Sequence, residues 1–208
     1  MHETGLSSPE RIQVASPDGV VRYGGDQEWY CGYFQRMAGC GPTVASNLLL
    51  YHAKGGRISL PVEVRDPDTY RALMDTVWSH VTPNMRGVST LRHFCGGVRS
   101  YLRAIRESLA CNALEVPRSR RQRPDLPTLA AFLADAMDAD SPVAFLIRSH
   151  GDVENLEPWH WVTLVSFAYD ADAGTLTGGI YNNAKPARVD LAAWLAAPGF
   201  GGGFVYFA

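Results

Sequence analysis

Residues 40–54, Cys-Gly-Pro-Thr-Val-Ala-Ser-Asn-Leu-Leu-Leu-Tyr-His-Ala-Lys, constrain this chain more than any other stretch, because they read as a buried helix with a cysteine in its first turn. Pro42 suits a first turn, where its missing N–H would be unpaired anyway. Val44, Leu48 and Tyr51 recur at i, i+4 and i+7, and Ala45 and Leu49 widen the stripe, as a core-facing helix requires. Lys54 complements the C-terminal end of the helix dipole, and Gly55-Gly56 ends the helix. Cys40 is thus expected where unpaired backbone N–H groups and the positive dipole end converge, a setting that favours thiolate over thiol. A free cysteine serves equally well as a small buried hydrophobe, so its neighbours must decide its role.

The chain has 208 residues, 46% of them hydrophobic and 19% charged, which suffices for a sizeable core and excludes the disordered and fibrous classes. One domain over 1–208 is expected. A formal net charge of −2 gives no reason to expect nucleic acid as a partner. No apolar run reaches the roughly 18 residues that a spanning helix needs, so no membrane partner is expected either. The opening residues lack the basic and apolar regions of a signal peptide, and the expected location is cytoplasmic. Cys31, Cys40, Cys95 and Cys111, at spacings of 9, 55 and 16, form no CxxC pair and are too few for a disulfide scaffold. His93-Phe-Cys95 lacks a second pair at zinc spacing, so no metal and no cofactor are expected. Oligomeric state is left open.

Residues 1–28 read as an N-terminal arm or short strands laid over the surface, with a turn at Pro17-Asp-Gly19. An aromatic burst, Trp29-Tyr-Cys-Gly-Tyr-Phe34, walls a cleft or caps the core. Residues 57–140 read as a helical elaboration. A helix after Asp66-Pro-Asp68 carries Tyr70, Leu73, Met74 and Val77; one from about Ser89 carries Leu91, Phe94, Val98, Leu102, Ile105 and Leu109; another spans Thr128 to Asp138. The arginines of Pro117–Pro124 read as a solvated loop. The character then changes to strands: Pro142–Ile147, His160–Tyr169 with clean alternation, Thr175–Asn182 after a hairpin loop, and Gly201–Phe207. Helices first and antiparallel strands afterwards indicate an α+β fold.

A thiolate nucleophile needs a base, a group to orient the base, and donors for an oxyanion. His160 opens a strand after a polar loop, and Asn182 and Asn183 end the strand expected to pair with it. A side-chain amide there would fix the imidazole tautomer. Gln35, five residues before Cys40, offers an amide for a carbonyl oxygen. The polar loop Ser149–Pro158 holds Asp152, Glu154 and Glu157; as a lid, it would favour neutral or basic substrates.

Gln35-(four residues)-Cys40-Gly-Pro-Thr, then Trp159-His160-Trp-Val-Thr-Leu-Val-Ser-Phe, then Gly179-Ile-Tyr-Asn-Asn183, resemble papain-like cysteine peptidases and are most similar to the C39-like peptidases. The resemblance covers about residues 29–54 and 142–207 and implies a papain-like fold. It assigns Cys40 as nucleophile, His160 as general base and acid, Gln35 as oxyanion donor and Asn183 as the orienting residue. Asn stands at 183 where the C39 pattern has Asp, and Ala184 stands where it has Pro, which leaves Asn182 as the alternative. The implied substrate is a peptide or protein, hydrolysed at a peptide or isopeptide bond. The same residues also serve an acyltransferase of transglutaminase-like or phytochelatin-synthase-like type, and a catalytically silent peptide-binding module would keep the same groove.

Overall fold

The computed structural model describes residues 2–151, 153, 155–197 and 199–208. The chain enters through β1 (His2–Gly5), then a separate hairpin of β2 (Gln13–Ala15) and β3 (Val21–Tyr23). Helices α1 (Tyr33–Ala38), α2 (Cys40–Lys54), α3 (Pro67–Trp78) and α4 (Leu91–Ala104) follow. After β4 (Cys111–Val116) and α5 (Leu126–Asp138) come β5 (Val143–Ile147), β6 (His160–Asp170), β7 (Thr175–Asn182), β8 (Lys185–Asp190), α6 (Leu191–Ala196) and β9 (Gly202–Phe207). Seven strands make one antiparallel sheet in the order β4-β9-β5-β6-β7-β8, with β1 added beside the far half of β6.

Strand alternation divides the core between the two faces of this sheet. Ala144 and Leu146 of β5, Trp161 of β6, and Val205 and Phe207 of β9 face a cluster with α2, α3 and α4. Val143, Phe145, Ile147, Val162, Phe204 and Tyr206 face the opposite cluster, with α5 and α6. Helix α2 runs through the first cluster, buried from Cys40 to His52. Leu48 and Leu49, each 1% exposed, contribute roughly 2 kcal/mol apiece by leaving water. Inside that layer Asn47 is fully engaged. Its Nδ2 donates to Thr163 Oγ1 at 2.8 Å, and its Oδ1 accepts from the Gly25 N–H and the Tyr70 hydroxyl. One side chain therefore fixes α2 to the sheet, to α3 and to the N-terminal segment.

Three elements depart from the sequence expectation. Residues 111–116, inside the stretch read as a helical elaboration, form edge strand β4 against β9. Helix α4 correspondingly ends at Ala104, and Arg106 turns the chain with φ 62°. Strand β8 pairs with β7 through a partner register that no local pattern announced. The clean alternation expected of β6 is broken by a bulge between Leu164 and Ser166, which leaves Leu164, Val165 and Phe167 all in the α5-side cluster. Among the described residues no helix is long and apolar enough to cross a membrane.

Candidate active site

Helices α1 and α2 meet at Gly39, which closes the first and precedes the second. A Cβ at Gly39 would lie 2.4 Å from the Gln35 carbonyl oxygen and 2.7 Å from the Tyr30 ring, so this junction needs glycine. Cys40 takes the first helical position, where the backbone N–H has no intrahelical partner. Gly41 permits a second close approach: a Cβ there would meet Val88 at 2.8 Å. The Val88 carbonyl in turn accepts from Trp161 Nε1 at 2.6 Å, so the nose of α2 and the start of β6 are gripped by one loop.

His160 opens β6 opposite Ile147. It is reached through Trp159, whose φ of 59° is uncommon for a bulky side chain and is a form of strain that concentrates at functional positions. That conformation leaves Trp159 52% exposed while His160 is only 6% exposed. His160 Nε2 donates to Asn182 Oδ1 at 2.8 Å, which leaves Nδ1 as the nitrogen for Cys40. Burial disfavours the charged ring, but hydrogen bonding to Cys40, the charge on that sulfur, Asn182 and the nearby Glu157 outweigh it. The pKa of His160 is raised above the ordinary histidine value.

The asparagine that the structure brings to His160 is Asn182; Asn183, the expected partner, lies one position further on. Asn182 is the last paired residue of β7, facing Lys185, and the two-residue turn that follows puts Asn183 and Ala184 at φ 46° and 56°. This is the left-handed conformation that a tight hairpin demands, and asparagine tolerates it better than most residues.

Gln35, the expected oxyanion donor, has partners of its own. It lies in α1, where its Oε1 accepts from the Gly32 N–H at 3.2 Å and its Nε2 donates to Asp75 Oδ1 at 3.3 Å. In this arrangement its amide caps α1 and ties it to α3.

A cleft of about 490 Å³ opens at Cys40, walled by Phe34, Met37, Met85, Arg86 and Trp159. Met85 is 93% exposed and Met37 65%, an unusual cost for apolar side chains unless something covers them. Met85 and Arg86 sit on a tight turn in which the Gly87 N–H donates to the Asn84 carbonyl and the Arg86 N–H to Asn84 Oδ1. Phe34 belongs to the aromatic burst expected to wall a cleft or cap the core, whereas Met37, Met85 and Arg86 carry no such sequence signal; Pro83-Asn84 and Gly87 mark the turn but not its position over the cysteine. Of the acidic loop, Asp152 and Glu154 lie outside the described residues. Glu157 acts on His160 by its charge.

No protein-family model matches the chain, and no curated protein matches its sequence. The fold is similar to that of UfSP from C. elegans, with a TM-score of 0.55 at 9% sequence identity, over 99% of this chain. The chain spans 34% of the length of that protein. At this identity the likeness speaks for the fold alone, and that fold is α+β and papain-like, with helices packed on a large antiparallel sheet.

Proposed function

We propose that the protein is a cysteine peptidase that cleaves peptide or isopeptide bonds through a Cys40 thioester. The observation that carries this reading is the meeting of Cys40, at the start of α2, with a His160 ring whose far nitrogen is held by Asn182. Cys40 thiolate attacks the carbonyl carbon, and the unpaired N–H of Cys40 faces the developing oxyanion. His160, protonated at Nδ1, gives that proton to the leaving amine. The ring then takes a proton from water as the water attacks the thioester, releasing the acid and restoring the thiolate. Asn182 keeps the ring turned the right way through both steps. The apolar walls of the cleft favour an extended peptide or protein segment as substrate. Within the papain-like peptidases, the Cys-Gly-Pro-Thr and His-Trp-Val motifs favour the C39-like members.

An acid-quenched incubation with a peptide mixture tests the reading. Mass spectrometry should find an acyl adduct on Cys40 and cleaved products, both lost in Cys40→Ala. Products bearing an added amine, rather than water, would make the enzyme an acyltransferase. Binding without any adduct or product would make it a silent module.

A further inference from the structure

Away from the cleft, two further cysteines that are 16 apart in sequence come together. Cys95, buried in α4, and Cys111, the half-buried first residue of edge strand β4, have their Sγ atoms 2.6 Å apart, and both are free thiols. The covalent distance is about 2.05 Å, so the two sulfurs need to close by only about 0.5 Å to bond. We propose that Cys95 and Cys111 are a modification site that forms a reversible disulfide, by exchange with a small-molecule disulfide of the glutathione type, stapling α4 to the sheet edge.

The order of events follows from the surroundings. Cys111 is the more accessible sulfur. The hydrogen bond from Cys95 and the positive charge of Arg99, one turn along α4, pull its pKa down, while its partner's is pushed up. Cys111 thiolate therefore attacks one sulfur of the small disulfide, forming a mixed disulfide and expelling one small thiolate. That thiolate takes up the Cys95 proton. Cys95 thiolate then attacks the Cys111 sulfur and expels the second small thiolate, which takes a proton from solvent. Two protein thiols are oxidised and one small disulfide is reduced to two thiols. A cavity of about 290 Å³ beside α4 is lined by Arg99, Arg103, Glu107 and Ser108 among others, and its two arginines against one carboxylate suit an anionic reagent.

The bond would close the loop from 95 to 111 and fix the helix that carries Phe94, whose ring stacks at 4.4 Å on Trp161 next to His160. The inference does not depend on the peptidase reading, since neither sulfur touches Cys40.

The test treats the full chain with oxidised glutathione, blocks remaining thiols with an alkylating agent, and maps a tryptic digest. Cleavage at the arginines separates the two cysteines onto peptides 93–99 and 107–118. These should be recovered joined, and separate after a reductant. The oxidised protein should melt roughly 5–10 °C higher than the reduced one. In Cys95→Ser, Cys111 should keep the mixed disulfide because nothing resolves it. If that variant does not fold, the wild-type map alone decides. Recovery of both peptides separately, whether alkylated or with a lasting mixed disulfide on wild-type Cys111, would overturn the proposal.

Discussion

Nε2 of His160 and Oδ1 of Asn182 lie 2.8 Å apart, and because a carbonyl oxygen only accepts, the ring proton sits on Nε2 and the opposite nitrogen is turned to Cys40. Asn182→Ala should therefore lower kcat by roughly 10- to 100-fold with KM little changed, since it frees the ring without touching the cleft walls. Asn183→Gly should leave both constants within about twofold, because glycine is at ease at positive φ. Steady-state kinetics of the two variants on one peptide decide between the neighbours; equal losses would mean that the turn, not the amide, orients the ring.

Gln35 separates two roles in the same way. As a cap bonded to Gly32 and a bridge to Asp75, its replacement by Ala should cost about 1 kcal/mol in denaturant unfolding and leave kcat/KM within about threefold. A loss of roughly 100-fold with unchanged stability would show that the amide serves the oxyanion after all.

How far the sequence revealed this site depends on which forces are local. Helix α2 was legible because its apolar spacing, its Pro42 and its closing glycines all lie within one stretch, and strands β6 and β7 because their hairpin is local too. The asparagine that meets His160 lies one position before the expected one because its place depends on where pairing stops. Asn182 still pairs with Lys185, and the adjacent asparagine is consumed by the turn. Ala184 at positive φ gives no sequence signal for so tight a turn. Gln35 turned on Asp75, and β4 on β9, partners distant in sequence whose pull no window of residues displays. The contact between Cys95 and Cys111 is of the same kind, set by how α4 packs on the sheet edge.

Acid sensitivity should trace to His52 rather than to the active-site ring. His52, 1% exposed in α2, has its pKa pulled down to about 4, by burial first and by Arg57 second. The unfolded chain takes up this proton near pH 6.5 and the folded one only near 4, so the unfolded state binds more protons between those values. Stability is complete above about pH 6.5 and falls by roughly 3 kcal/mol as pH drops towards 4. His160, raised instead, contributes below pH 6.5 and loses its contribution as pH rises through its folded value, so the two windows do not overlap. Urea midpoints at pH 7.5 and 4.5 should differ less in His52→Gln than in wild type; an unchanged difference would place the acid sensitivity elsewhere.

The central claim is that Cys40 works as a thiolate held by His160, and its alkylation rate tests this most directly. With limiting iodoacetamide at pH 6, peptide mapping should find Cys40 modified at least about tenfold faster than Cys31, Cys95 or Cys111. That advantage should be lost in His160→Ala. Equal labelling of the four cysteines in the native protein, a silent Cys40, or a rate indifferent to His160 would contradict the account.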